Sequence, residues 1–266
     1  MIVGDDRTLS IESLVKVHRL DTMSRRCGIG VDGCPAGWVM VTVTNGRVLP
    51  VDVFETVAEL YQTVPKRTSV VLLDMPIGLS PGGREGRECD RLGRQALGPR
   101  RSSLFPTPSR PVLDARTYED ACAKHHAVTG TKISKQAWFL IPKIREIDAF
   151  LLSDAYGGIP LRECHPEIAF ASLQDGVPMR HPKKHPLGFL DRLRLLETLV
   201  DGVEDVVRDA VGRFDAKSLV VDDVLDAMVL AFLSSLGSKE LATFPAKPPL
   251  DAAGIPMELV YKKGAF

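Results

Sequence analysis

Paired cysteines, long apolar runs and an excess of either charge are all missing from this chain. Its five cysteines (Cys27, Cys34, Cys89, Cys122, Cys164) stand singly, so the C-x-x-C spacing of a zinc site is absent. An odd number of cysteines in 266 residues reads as reduced, intracellular thiols. No apolar run reaches the roughly 18 residues that a membrane span needs, and the opening residues lack the apolar region of a signal peptide. The expectation is a cytoplasmic protein. Formal net charge is zero, which excludes a strongly basic, tail-driven nucleic-acid binder but leaves room for a local basic patch. No P-loop and no internal repeat is found.

What is present is ordinary globular composition, 44% hydrophobic and 26% charged, enough to bury a sizeable core. Residues 1–25 are polar and patternless, and low order is expected there. A single domain is expected over 26–266. "CGIGVDGCPAGWVMVTVTNGRVLPVDVF" predicts three consecutive strands, with Asn45-Gly46 as a two-residue hairpin turn. "ETVAELYQTV" has helical spacing, and the run Val70 to Leu73 predicts a strand buried on both faces. Residues 133–151 predict a helix with Pro142 as a kink or break. "PLRECHPEIAF" reads as a short strand, and "PLGFLDRLRLLETLV", "VEDVVRDAVGRF" and "DDVLDAMVLAFLSS" read as helices. The tail "MELVYKKGAF" reads as an edge strand. The order implies a mixed sheet covered by helices on both faces.

Between Arg84 and Arg116 eight arginines face four acids, in a stretch rich in Gly and Pro. This predicts a positively charged insertion, spanning about residues 80–150. Its surface would hold phosphates; a merely solvated loop is the competing reading. Arg87, Arg91, Arg100, Arg101 and Gln136 are its candidate substrate contacts. Phe105 is a candidate for base stacking, and Trp138 for lining the site; for both, packing is the plainer role.

The acids are the main chemical signal. Asp32 lies within the first strand and Asp74 ends a buried one. Asp222, Asp223 and Asp226 open an otherwise apolar helix, with Asp226 on the same face as Asp223 and Asp222. Asp222 as helix N-cap and Asp223 as a dipole-favoured acid are the ordinary explanations. Asp226 is harder to explain, because a carboxylate near a buried face needs a partner, and another carboxylate is a poor one unless a cation sits between them. Acids on strand ends and helix ends that share a divalent ion are the physical answer, and an all-oxygen site suits Mg²⁺ or Mn²⁺. Glu163, His165 and Glu167 alternate, so an extended strand would turn them to one side. Cys34 beside Asp32 is a weak candidate nucleophile. "HPKKHP" carries two histidines four apart in a loop; a solvated turn is favoured over metal binding.

With "GVDGCPAGW" (30–38), "LLDMPIGL" (72–79), "CDRLGRQALGPRRSSLFPTP" (89–108), "SKQAWFLIPKIREID" (134–148), "ECHPEIAF" (163–170) and "DDVLDAMVLA" (222–231), the chain resembles the predicted RNase H-like nuclease family, also called domain of unknown function 429. The resemblance implies a ribonuclease H-like α/β fold: a five-stranded mixed sheet of order 3-2-1-4-5 flanked by helices, with the insertion after strand 4. It further implies a Mg²⁺- or Mn²⁺-dependent phosphodiester hydrolase acting on nucleic acid or nucleotide. Asp32, Asp74, Asp223 and Asp226 would hold two ions, with His165 or Glu167 moving protons. "ECHPE" departs from nucleases of this fold, which leaves Glu163, His165 and Glu167 open to other chemistry or to substrate selection. A small-molecule phosphotransferase on the same fold, or a binding protein without catalysis, stand as alternatives. The residues do not decide between monomer and dimer.

Overall fold

A computed structural model describes residues 26–266, so the expectation for the leader 1–25 falls outside the described residues. The chain builds a mixed sheet from β1 (Cys27–Cys34), β2 (Gly37–Thr44), β3 (Arg47–Val48), β4 (Asp52–Phe54), β5 (Val71–Asp74) and β6 (Leu161–Glu163). The order is β3-β2-β1-β5-β6, with β4 also pairing with β2. β1 and β2 are antiparallel; β1, β5 and β6 run parallel. The sheet therefore has six strands where five are expected, because the third is split into β3 and β4. Asn45 (φ 53°) and Gly46 (φ 71°) both take left-handed conformations between β2 and β3, as the mirror-image hairpin turn requires.

Helices cover both faces. α1 (Val57–Thr63) and α4 (Lys135–Leu151) pack on the face that carries Ile29, Val31, Val71 and Leu73. Pro142 sits inside α4 without breaking it. The insertion contributes α2 (Glu88–Ala96), α3 (Tyr118–Thr129) and 3₁₀ turns at Gly98–Ser103 and Arg110–Asp114. On the opposite face lie α5 (Pro166–Leu173), α6 (Pro186–Glu197), α7 (Val203–Arg213) and α8 (Val221–Leu236). One expectation fails here and another holds only in part. "ECHPEIAF" is strand only to Glu163, because Pro166 is pre-organised for the first helical turn and His165 caps it. The tail does form β8 (Leu259–Lys262), but it pairs with β7 (Leu241–Phe244) in a separate two-stranded sheet. Among the described residues, no helix is long and apolar enough to cross a membrane.

α8 is the apolar helix that carries the acids, and it lies against β1 at backbone contact. A Cβ on Gly28 would stand 2.1 Å from the Ala231 carbonyl oxygen, and one on Gly30 would stand 2.0 Å from that of Ala227. Two residues of strand advance about 6.6 Å, and four residues of helix about 6 Å. The pattern Gly28 to Ala231 and Gly30 to Ala227 therefore carries Asp32, next on the same face, to the opening turns of α8. Ser234 pins the other end: its hydroxyl accepts from the Ile29 N–H (3.0 Å) and donates to the Val70 carbonyl (2.6 Å).

Candidate metal centre

Asp32 and Asp74 sit directly opposite each other on parallel strands, and so share a face. Asp226 comes down from α8 onto both. One carboxylate oxygen from each of the three lies within 4.8 Å of the others. Asp32 and Asp226 are buried and Asp74 is partly so. Asp223, half-buried, lines the same cavity of about 420 Å³ but stands outside that triad. Asp222 is not the N-cap of α8; Val220 holds that position, without a side-chain bond.

Like charges in a dry site resist ionisation. Burial first, then Asp74 and Asp226, push the Asp32 carboxyl well above its ordinary range. Burial and then Asp226 do the same to Asp74. Asp223 is pushed up to about 6 by burial, against the pull of Lys183. Lys183 is the cation that the sequence reading missed. Its ammonium donates to Asp226 Oδ2 at 2.6 Å. Burial works against its charge, but Asp226 and Asp32 outweigh that and hold its pKa well above normal. The only sequence signal was its place in "HPKKHP", whose histidines drew attention instead. His185 caps α6 through Nδ1, and His181 bonds Asp191 at 2.9 Å.

Glu167 reaches the cavity from the first turn of α5. Its Oε1 accepts from Arg192 (2.6 Å) and Arg100 (3.2 Å). Its Oε2 is buried with no hydrogen-bond partner among the described residues. His165 also lines the cavity, but its Nδ1 accepts the Glu167 N–H at 3.2 Å. Burial lowers its pKa to about 4, so the ring is neutral at pH 7, and with Nδ1 accepting the cap bond its proton sits on Nε2. Cys34 is buried, and its thiol pKa is raised by burial, the opposite of what an activated nucleophile needs.

The basic candidates divide. Arg100 and Gln136 line the acidic cavity, with Phe105, Lys143 and Lys184. Lys143 lies over the Trp38 ring and donates to the Gly37 carbonyl. Trp138 packs edge-on against Tyr118 instead of lining the cavity. Arg91 and Arg101 face a different cavity. Arg87 cannot touch substrate. It is 1% exposed and fully engaged, donating to Asp90 (2.5 Å), to both Glu163 oxygens (2.6 and 2.8 Å) and to the carbonyls of Ile77 and Gly78. Glu163 is thereby a structural anchor, also accepting the Ile77 N–H.

The donor set fits a hard divalent cation. It is all carboxylate, its oxygens are close enough to share one ion, and Glu167, whose Oε2 has no hydrogen-bond partner among the described residues, is a further carboxylate on the lining of the same cavity. Three converging acids with one lysine leave a surplus of negative charge that such an ion would neutralise. Comparison with curated proteins and with solved structures finds no match. The family model described as "Protein of unknown function (DUF429)" matches residues 30–250. The acids on β1, β5 and α8 all fall within that span, and the chain belongs to the DUF429 family.

Proposed function

We propose that the chain is a Mg²⁺- or Mn²⁺-dependent phosphodiester hydrolase of the RNase H-like kind, acting on nucleic acid or a nucleotide. The observation that carries this reading is the convergence of Asp32, Asp74 and Asp226 at the ends of two parallel strands and the start of the facing helix. The strand order, with β1 between antiparallel β2 and parallel β5 and with β6 parallel beyond β5, supports the RNase H-like assignment.

A bound divalent ion would lower the pKa of a water and offset charge on the phosphate. Asp32, Asp74 and Asp226 would hold it, with Asp223 at the border of the site and available to a second ion. Lys183, which donates to Asp226 Oδ2, would supply an ammonium beside the phosphate. Arg100 and Lys184 supply further cationic donors to phosphate oxygens, and Gln136 an amide. Phe105 offers a ring to a base. Glu167, or the neutral His165 through Nε2, would move protons for the attacking water and the leaving group.

The test is calorimetric titration with Mn²⁺ of wild type and Asp32→Asn, followed by a panel of DNA, RNA and junction substrates. Saturable binding lost in the variant, with metal-dependent cleavage by wild type, is the expected result. Absence of binding at millimolar Mn²⁺ in both the free and the oligonucleotide-bound protein would overturn the reading and leave a binding protein. Cleavage or transfer seen only with a small nucleotide would move it to the phosphotransferase class.

A further inference from the structure

A second cavity, of about 660 Å³, opens within the insertion. That size accommodates a nucleotide-sized ligand. Arg84, Arg91, Arg94 and Arg101 line it. Arg94 spends one nitrogen on the Leu104 carbonyl, and Arg91 has a loose partner in Glu88 at 3.3 Å. Among the described residues no carboxylate pairs with Arg84 or Arg101. Of the two acids on the lining, Asp90 is neutralised by Arg87 and accepts the Thr107 N–H, and Glu85 is exposed.

His125 supplies the second observation. It is 8% exposed and lines this cavity. Its Nδ1 receives the Ser109 backbone N–H at 3.2 Å and lies 2.9 Å from the Ser109 hydroxyl. A backbone N–H can only donate, so Nδ1 carries no proton, and burial keeps the ring neutral. The ring proton therefore sits on Nε2, a neutral donor on a side chain that shares the lining of this cavity with four arginines.

The two cavities share a wall. Arg100, Ser103 and Phe105 face the acidic one, while their chain neighbours Arg101 and Pro106 face the basic one. We propose that the basic cavity binds the phosphate of a phosphate ester. The ester is either a free mononucleotide or the terminal phosphate of a nucleic-acid chain lying across the wall; the second source rests on the hydrolase reading, the binding site itself does not.

The experiment titrates metal-free protein with 5′-AMP, with adenosine, and with one short oligonucleotide made with and without a 5′-phosphate. Wild type, an Arg84→Ala/Arg101→Ala double variant and Asp32→Asn are compared, with thermal unfolding to confirm that each folds. 5′-AMP should bind and adenosine should not. The double arginine variant should weaken binding at least about tenfold, the size of one lost charge-assisted contact. Asp32→Asn should keep it, so that this result is independent of the metal site. AMP bound as tightly as the phosphorylated oligonucleotide identifies a free nucleotide; a preference for the phosphorylated oligonucleotide over both AMP and its unphosphorylated twin identifies a chain end. Binding that ignores the arginines, that fails in Asp32→Asn, or that adenosine matches would overturn the proposal.

Discussion

At the scale of single residues, the crowded carboxylates make a stability prediction whose sign is unusual for aspartate. Their folded pKa values are raised, so the folded state holds protons more tightly than the unfolded one. Their contribution is most favourable below the unfolded value near 4 and is lost as pH rises through the raised folded values, about 6 for Asp223. Without metal, Asp32→Asn should therefore melt above wild type at pH 8, by at least about 1 kcal/mol or roughly 2–4 °C, with the gap closing towards pH 4. Millimolar Mn²⁺ should reverse the order. Melting curves from pH 4 to 8 with and without metal check this, and a variant that is less stable at pH 8 in chelator would sink it. The four aspartates are legible in the sequence because acids in apolar runs are costly and need a reason. Lys183 is not, since a lysine in a polar loop costs nothing locally and only the fold brings it to Asp226. Arg87 misleads for the converse reason: its two carboxylate partners, Asp90 and Glu163, come from separate parts of the chain.

At the scale of elements, the glycines of β1 set how closely α8 approaches. Gly30→Ala would drive a methyl group into the Ala227 carbonyl and the Ala231 nitrogen, both backbone atoms that no rotamer change can move aside. Overpacking of this kind costs about 1–3 kcal/mol, and more where backbone must shift. The expected outcome is a Tm loss of several degrees together with a weaker Mn²⁺ titration, because α8 carries Asp226. Equal Mn²⁺ affinity in a folded Gly30→Ala protein would show that the acids are not placed by this contact. Most of the elements were readable from period and turn chemistry, including the Asn45-Gly46 hairpin and α4, although Pro142 reads as a kink or break and the helix runs on through it. The stretch after Glu163 was not, because alternation of Glu163, His165 and Glu167 satisfies a strand while Pro166 starts a helix. The separation of β7 and β8 from the main sheet is a long-range choice, with no local signal.

At the scale of the molecule, the arginine-rich insertion is fastened to the sheet through one buried guanidinium. Arg87 joins the Ile77 and Gly78 carbonyls after β5 to Glu163 at the end of β6 and Asp90 on α2. Arg87→Met would strand two buried carboxylates, at a cost of about 3–5 kcal/mol. Limited proteolysis should then cut first within residues 80–117, and cleavage unchanged from wild type would refute the fastening role. Both cavities border this insertion, so its attachment governs each of them. The approach of α8 to β1 has a consequence for ion size. Because main chain meets main chain at Gly28 and Gly30, the distance between the backbones that carry Asp32 and Asp226 is set by contact. A Ca²⁺ ion, with oxygens at about 2.3–2.6 Å and six to eight of them, needs a wider and more yielding cage than Mg²⁺ at about 2.0–2.1 Å. On the proposed metal reading, two missing side chains on one strand would act as a gauge for the smaller ion, and Ca²⁺ should bind more weakly than Mg²⁺ in the same calorimetric titration.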